Sequence, residues 1–251
     1  DLPRGELIVI VAANWKMNPS IEDAGALAAA YAGTAFDGIA RILFPPHPYL
    51  VHMAMRLGQS GIRLGGQDCH SAASGAHTGD VAAHMLVACG ADIVLLGHSE
   101  RRTDHGESDA LVRAKAGAAL AENLSVMICV GETLAQRDAG QAEDVVGAQL
   151  AGSVPEDVDA AQLMIAYEPV WAIGTGKVAS EADIGAMHAY IHTQLAQRGL
   201  GDVPILYGGS VKPGNAGAIF ALAYVDGALV GGASLVADDF AAICDAAQAT
   251  I

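Results

Sequence analysis

The stretch that decides the fold is Leu163-Met164-Ile165-Ala166-Tyr167-Glu168-Pro169-Val170-Trp171-Ala172-Ile173-Gly174-Thr175-Gly176-Lys177. Its first five residues are an apolar run that ends just before Glu168 and Pro169, which predicts a short buried strand. The Glu168 carboxylate then stands at the carboxyl end of that strand. The loop behind it keeps Trp171 and other apolar side chains that a solvated connector rarely retains. We therefore expect residues 169–177 to form a lid that buries these side chains when it closes.

Apolar runs of this kind alternate with Ala-rich helical stretches along the whole chain. The runs are nearly continuous in apolar residues, as is typical of parallel strands that are covered on both faces. Eight such units without a linker predict an α/β protein, a single closed (β/α)8 barrel domain over residues 1–251, with a doubly wound open sheet as the alternative. The predicted strands are 7–14, 39–44, 62–67, 93–97, 126–130, 163–167, 203–207 and 228–230. The predicted helices are 21–31, 49–57, 81–89, 108–122, 143–150, 181–197, 216–221 and 240–249.

The charge balance restricts the possible partners. Of the 251 residues, 52% are hydrophobic and 16% are charged, and the formal net charge is −15 at pH 7. Because no basic run occurs, nucleic acid and anionic membrane surfaces are excluded as partners. An anionic small molecule would need a local positive potential, which a lysine or a helix N-terminus can supply. The chain has only four lysines, Lys16, Lys115, Lys177 and Lys212.

The cysteines and the N-terminal segment indicate the compartment. Cys69, Cys89, Cys129 and Cys244 form no CxxC pair and have no ligand-like spacing with histidine. In a chain of this length we predict free buried thiols in a reducing, cytoplasmic setting. The apolar run 7–13 is too short for a membrane span and lacks the charge pattern of a signal peptide, so we expect neither.

Polar residues and glycine pairs gather where the predicted strands end, which is the face of a barrel that carries chemistry. They are Asn14 and Lys16 after the first strand, His98 and Glu100 after the fourth, Glu168 after the sixth, Ser210 after the seventh, and Gly231 and Gly232 after the eighth. Each alone has a plainer interpretation, since a single lysine is usually solvated, a single histidine is usually structural and a glycine pair is often a tight turn. Their convergence on one face favours a site.

Part of this set suits a phosphate group. The Ser210 hydroxyl and the backbone amides of Gly231 and Gly232 can cradle its oxygens, and a following helix N-terminus adds positive potential. The Gly174 amide would approach from the lid, because a residue without a side chain leaves its N–H open to an anion.

The remaining residues suit proton transfer beside a carbonyl group. A carboxylate at Glu168 can remove a proton from the carbon next to the carbonyl. An imidazole at a helix N-terminus has its charged form disfavoured, so His98 would stay neutral and donate a hydrogen bond to the carbonyl oxygen. The ammonium of Lys16 would stabilise the oxyanion that develops.

Five strings, in order and at barrel spacing, resemble the triosephosphate isomerase family along nearly the whole chain. They are Ala13-Asn14-Trp15-Lys16-Met17-Asn18, Gly97-His98-Ser99-Glu100-Arg101-Arg102, Ala166-Tyr167-Glu168-Pro169-Val170-Trp171-Ala172-Ile173-Gly174-Thr175-Gly176, Tyr207-Gly208-Gly209-Ser210-Val211 and Asp226-Gly227-Ala228-Leu229-Val230-Gly231-Gly232-Ala233-Ser234-Leu235. The resemblance implies a TIM barrel that interconverts dihydroxyacetone phosphate and glyceraldehyde 3-phosphate through an enediolate, in glycolysis and gluconeogenesis, with no metal or organic cofactor.

The resemblance also implies roles for individual residues. Glu168 would be the base, His98 the electrophile and proton relay, and Lys16 the electrostatic group, with Asn14 and Glu100 beside them. The family is the standard example of a glutamate base that works with a neutral histidine under a closing lid.

A homodimer is a further implication of the resemblance. The long loop 67–80 would reach into the partner subunit, and Thr78 matches the intruding threonine. Within this loop the departures from the family pattern are Asp68, His77 and Asp80. They bear on the strength of the dimer and leave the chemistry unaffected.

Two other functions remain open on the residues alone. Another sugar-phosphate barrel enzyme, of the aldolase type, would use Lys16 as a Schiff-base amine. A catalytically silent sugar-phosphate binding protein would keep Ser210, Gly231 and Gly232 without needing Glu168, His98 or Lys16.

Two further patterns are set aside. Gly174-Thr175-Gly176-Lys177 resembles the end of a P-loop, but Trp171 stands where that motif needs its first glycine. His188 and His192 have the i, i+4 spacing of zinc ligands on a helix. With no third ligand near in sequence, we predict a solvent-facing pair.

Overall fold

A closed barrel of parallel strands forms the centre of the molecule. The computed structural model describes residues 8–173 and 178–251. Within them, eight strands follow one another in chain order, and the last pairs with the first. The strands are β1 (Val9–Asn14), β2 (Ile39–Phe44), β3 (Arg63–Gly66), β4 (Ile93–Leu96), β5 (Ser125–Val130), β6 (Leu163–Tyr167), β7 (Ile205–Tyr207) and β8 (Gly227–Val230). The predicted barrel is confirmed and the open sheet is excluded, while the assignment of residues 1–7 to this domain stays a prediction.

Helices surround the barrel. The α-helices of the described residues are α1 (Ile21–Ala32), α2 (Leu50–Leu57), α3 (Ala83–Ala88), α4 (Ser99–Asp104), α5 (Asp109–Ala121), α6 (Leu134–Asp138), α7 (Ala142–Ser153), α8 (Glu181–Ala196), α9 (Pro213–Phe220) and α10 (Ala237–Gln248). Short α6 was not predicted. The sequence prediction begins α9 too late, because Pro213 fits the first turn, where its missing N–H is not needed. It begins β7 too early, because Pro204 cannot donate to the ladder.

Side-chain caps fix where several helices begin. Ser20, Ser108, Thr133 and Ser180 each precede a helix with an extended ψ, and each accepts a hydrogen bond from a backbone N–H in the first turn. These bonds satisfy amides that have no partner inside the helix, so they hold each helix start at the point where the chain leaves the preceding loop.

Two apolar layers hold the barrel together. One lies inside the strands and the other lies between the strands and the helices, so successive residues of a strand serve the two layers in turn. The inner layer is Ile10, Ala12, Ile42, Phe44, Ile93, Leu95, Met127, Cys129, Met164, Ala166, Leu206 and Leu229. Because side chains fill the barrel, a ligand can bind only at its ends.

The four cysteines are free, as predicted. Cys69, Cys129 and Cys244 are buried, and Cys89 is half-buried. Burial raises the pKa of the Cys69 and Cys244 thiols to about 12, so they are protonated and unreactive at neutral pH. Across the described residues, no helix combines the length and the apolar character needed to cross a membrane.

The prediction that His188 faces solvent is wrong. Its side chain is fully buried, and Nδ1 lies 2.8 Å from the Tyr224 carbonyl oxygen, to which it donates in the neutral form. The reason is helix phase: His188 shares the inward face of α8 with Ile184 and Ile191. His192, half-buried, stacks on the Tyr224 ring with centroids 4.2 Å apart.

Candidate active site

One cavity of about 820 Å³ opens at the carboxyl ends of the strands. Predicted site residues that line it are Asn14, Lys16, His98, Glu100, Glu168, Ser210, Gly231 and Gly232. The structure therefore brings together residues that are up to 218 positions apart in sequence. Thr78 lies elsewhere, exposed on the loop after β3, and Gly174, Thr175, Gly176 and Lys177 of the predicted lid fall outside the described residues.

Glu168 is fixed at the end of β6 by its backbone and by two glycines. Its N–H donates to the Val130 carbonyl oxygen at 2.7 Å. A Cβ on Gly131 would lie 1.7 Å from the Glu168 carbonyl oxygen, and one on Gly208 would lie 2.9 Å from the Glu168 Cγ. Since either side chain would displace the residue, the glycines directly after both neighbouring strands are requirements of this position.

The Glu168 carboxylate is almost fully buried and holds two hydrogen bonds. Oε1 lies 2.8 Å from His98 Nε2, and Oε2 accepts from the Ser99 backbone N–H at 3.0 Å. Burial alone raises the pKa of this carboxyl group. His98, the Ser99 amide and Lys16 outweigh burial and lower it, so the group is an ionised carboxylate that can accept a proton.

His98 caps the N-terminus of α4, which fixes its tautomer. Its Nδ1 accepts a hydrogen bond from the Glu100 backbone N–H at 3.2 Å, so in the neutral ring the proton is on Nε2. Burial lowers the pKa of His98, but the nearby Glu168 carboxylate raises it more strongly, so the pKa lies above its usual value in this arrangement. If the carboxylate moves toward a substrate, burial and Lys16 remain and favour the neutral ring.

Lys16 has an unusual backbone that points it into the cavity. Its φ is 52°, a left-handed value that is rare for lysine. Two hydrogen bonds hold it: its N–H donates to Asn14 Oδ1 at 3.0 Å, and Gln67 Nε2 donates to its carbonyl oxygen at 2.8 Å. The Lys16 ammonium forms an ion pair with Glu100 Oε1 at 2.6 Å. Such local strain persists only where surrounding contacts maintain it, and it is common in active sites.

The glycine pair after β8 lies beside Lys16. A Cβ on Gly231 would come within 3.7 Å of the Lys16 Cε. Ser234 fixes this turn, because its hydroxyl and its N–H both donate to the Gly231 carbonyl oxygen, at 2.6 and 2.8 Å. A 3₁₀-helix begins at Gly232, and Ser210 lines the same cavity. Small residues, a helix start and a lysine thus surround one pocket.

The described start of the predicted lid is anchored outside the cavity. Glu132 is fully buried, and its Oε1 accepts three hydrogen bonds: from Trp171 Nε1 at 2.8 Å, from the Tyr167 hydroxyl at 3.1 Å and from Arg137 at 3.2 Å. Arg137 also stacks over the Trp171 ring and pairs with Asp183. These contacts hold residues 170–172 in a 3₁₀ turn directly after Glu168 and Pro169.

Sequence reasoning missed three contributors to this site. Gln67 positions Lys16, Glu132 anchors the lid, and the Ser99 amide holds the base. Gln67 had a signal, because it follows β3 at the same barrel face. The contact of Glu132 with Trp171 left no signal in the sequence, since it depends on how two loops lie in space.

A second cluster of polar side chains lies on the loop after β3, away from the cavity. The donor atoms of His70, His77 and Asp80 lie within 4.8 Å of one another. His70 Nδ1 accepts the Ala72 N–H at 2.9 Å, which in the neutral ring places the proton on Nε2. In that tautomer neither ring nitrogen of His70 offers a free lone pair to a metal ion.

Comparisons with known proteins agree with this geometry. The family model described as triosephosphate isomerase matches residues 9–247. A triosephosphate isomerase from Ruegeria pomeroyi is 51% identical over 246 residues, which is 95% of this chain and 97% of the relative. One from Afipia carboxidovorans is 51% identical over 247 residues, covering 96% and 98%.

A solved structure gives the same result in three dimensions. The triosephosphate isomerase from Bartonella henselae superimposes with a TM-score of 0.88 at 45% sequence identity, covering 95% of this chain and 98% of that one. The chain therefore belongs to the triosephosphate isomerase family of aldose–ketose isomerases, which interconvert dihydroxyacetone phosphate and glyceraldehyde 3-phosphate.

Proposed function

We propose that the residues of this cavity carry out the interconversion through an enediolate, with Glu168 as the base. The observation that carries the proposal is the buried contact of 2.8 Å between the Glu168 carboxylate and His98 Nε2, in the cavity that Lys16 also lines. A base, a proton donor and a cation then face one small-molecule volume. This combination suits removal of a proton beside a carbonyl group.

The proton movements balance with these groups alone. Glu168 takes a proton from the carbon beside the carbonyl, while the His98 Nε2–H donates to the carbonyl oxygen as it becomes an enediolate oxygen. His98 then takes the proton from the second oxygen, and Glu168 returns its proton to the other carbon. Lys16 stabilises the negative charge that the oxygens carry in between, and Asn14 and Glu100 hold Lys16 in place.

The phosphate of the substrate would bind near the ends of β7 and β8. Ser210 and the amides of Gly231 and Gly232 surround a volume beside Lys16, which supports this assignment. The lid over 169–177, with the Gly174 amide, would close the pocket and keep water from the enediolate. The contacts of Glu132 with Trp171 would hold the lid in its resting position.

We also propose a cytoplasmic homodimer with no metal and no organic cofactor. The loop 67–80 supports the dimer, because it is long and Thr78 is exposed on it. Met17, which directly follows Lys16, is 94% exposed, and a methionine this exposed beside a cavity fits a surface that a second subunit covers. The free thiols support a reducing compartment.

The Schiff-base alternative is disfavoured by the state of Lys16. A Schiff base forms when the lysine nitrogen is free to attack a carbonyl carbon, whereas Lys16 Nζ is held in an ion pair with Glu100 Oε1 at 2.6 Å. Treatment with borohydride and substrate checks this directly, because only the aldolase type traps a covalent adduct on lysine.

A coupled assay that follows glyceraldehyde 3-phosphate to dihydroxyacetone phosphate tests the proposed function. Wild-type protein should turn over in the presence of a metal chelator, and Glu168→Gln, which keeps the shape but removes the base, should lose that turnover. Glu143→Gln serves as a matched control, because it makes the same chemical change at an exposed position in the first turn of α7, outside the cavity lining. Equal activity in wild type and Glu168→Gln would refute the assignment of the base.

A further inference from the structure

The charges around the cavity oppose the approach of an anionic substrate, and the proposed mechanism does not account for this. Its substrate carries a phosphate of charge about −2 at neutral pH, whereas the chain carries −15. Among the described charged side chains on the wall, Glu100, Glu168 and Asp239 are acidic, and Lys16 is already paired with Glu100. A dianion approaching the mouth therefore meets a repulsive field unless an unpaired cation stands there.

Lys212 is such a cation. It lines the cavity where the chain enters α9, and its side chain is exposed. Over residues 8–173 and 178–251, the lysines and arginines without a side-chain hydrogen bond or ion pair are Lys212 and Arg56. The charge of Lys212 is therefore not neutralised by a carboxylate of the described chain.

The backbone under Lys212 is held in place by Asn215. The Asn215 side chain accepts from the Lys212 N–H at 2.7 Å and donates to the Ser210 carbonyl oxygen at 2.9 Å. Pro213 restricts the chain on the other side. The ammonium can thus move on its four-carbon stem, but its base stays two residues from the proposed phosphate contact at Ser210.

We propose that Lys212 is a substrate-steering residue, which attracts the phosphate dianion to the cavity mouth and hands it to the cradle of Ser210, Gly231 and Gly232. The role rests on the proposed function. It concerns the rate at which substrate reaches the cavity and not the chemical step, since the reacting atoms lie at Glu168 and His98. Enzymes of this family are standard examples of catalysis limited by encounter with substrate. A cation at the mouth should then act on kcat/KM and leave kcat unchanged.

Arg56 provides a matched control. It is also exposed and unpaired, and it lies in the last turn of α2. Because α2 leads the chain back to the start of β3, Arg56 is at the opposite face of the barrel from the cavity. Lys212→Gln and Arg56→Gln therefore remove one charge each from the same protein, and only the first removes it at the mouth.

The experiment measures kcat and KM at 10 mM and 300 mM ionic strength for both variants, for Lys212→Glu and for Lys212→Arg. We take the substrate dianion to be about 10 Å from the ammonium during the encounter. At 10 mM, kcat/KM should then fall about threefold in Lys212→Gln and about tenfold in Lys212→Glu. Lys212→Arg should match wild type, and Arg56→Gln should stay within about 1.5-fold. At 300 mM the differences should fall below about 1.5-fold.

Two outcomes would overturn the steering role. Equal losses in Lys212→Gln and Arg56→Gln would show that only the net charge counts. A loss that persists at 300 mM, or that falls on kcat, would show a direct contact or a structural defect. An inactive wild type would instead refute the proposed function, and the steering role with it. The two failures are distinguishable, because the steering role alone fails only when wild type is active.

Discussion

Two buried histidines in this barrel have opposite electrostatic states. His98 stands at the cavity with its Nε2 2.8 Å from the Glu168 carboxylate. His188 lies behind the barrel wall on α8, between the rings of Tyr167 and Tyr207. Both are less than a tenth exposed. Burial lowers the pKa of each, to about 4 in His188, but the Glu168 carboxylate raises the pKa of His98 above its usual value.

The difference shows that the partner, and not burial, separates a reactive histidine from a structural one. His98 keeps a proton on Nε2 that points at a carboxylate and a cavity. His188 uses its Nδ1–H on the Tyr224 carbonyl oxygen, and among the described residues its Nε2 has no partner. A proton can therefore move on and off His98 with small cost, whereas a charge on His188 would have no compensation.

The sharpest test of this comparison replaces each histidine by glutamine. His98→Gln keeps an N–H donor but cannot relay a proton, so kcat should fall by about 10³-fold, within the range for general acid–base catalysis. His188→Gln should keep kcat within about twofold, because the residue faces no substrate. The coupled isomerase assay measures both, and circular dichroism checks that both variants are folded. Similar losses of kcat in the two variants would break the comparison.

A second test moves the partner instead of the histidine. Glu168→Asp retains the charge but draws the carboxylate back by about 1 Å, which should lower turnover by at least ~10²-fold with similar substrate affinity. The reason is that the base must reach a carbon atom at a fixed distance. Steady-state kcat and KM distinguish the two effects, and turnover within a few-fold of wild type would show that Glu168 is not the base.

A third test removes the cation on the cavity side. Lys16→Ala should lower kcat/KM by at least ~10²-fold, a typical loss for a missing oxyanion stabiliser. Lys115→Ala is the contrasting variant, because that lysine is buried in ion pairs with Asp68 and Glu107 away from the cavity. Its loss should lower the thermal midpoint more than the activity. Normal kinetics in Lys16→Ala would remove this lysine from the mechanism.

Much of the barrel could be predicted because its strands are continuous apolar runs with sharp ends. The second and sixth strands have the predicted bounds, 39–44 and 163–167. The residues that gather at the cavity could also be predicted, since parallel strands in a barrel end at one face. Strand length and topology are enough for that step.

The rest depends on contacts that spacing does not encode. His188 was misplaced because its spacing to His192 was considered without the phase set by Ile184 and Ile191. The left-handed backbone of Lys16 could not be foreseen, since it is stabilised against the preference of lysine by Asn14, two residues earlier, together with the distant Gln67. Position on a helix face decided the first case, and contacts with other side chains decided the second.

The smallest expected effect concerns stability and tests the histidine that does no chemistry. In the folded protein the pKa of His188 is about 4, whereas an unfolded chain has the ordinary value of 6.5. As the pH falls through 6.5, the unfolded chain takes up a proton that the folded chain does not, so the folded state loses stability until the pH reaches about 4. Between pH 7.5 and pH 5 this loss is about 2 kcal/mol.

Urea unfolding at fixed protein concentration measures this contribution. Every carboxylate with a lowered pKa, such as Glu107, also destabilises the protein in acid, but it does so equally in wild type and in His188→Gln. The difference between their slopes with pH therefore belongs to His188, and the variant should lose about 2 kcal/mol less over this interval. Parallel slopes would mean that His188 is protonated when folded, and the contrast with His98 would then rest on position alone.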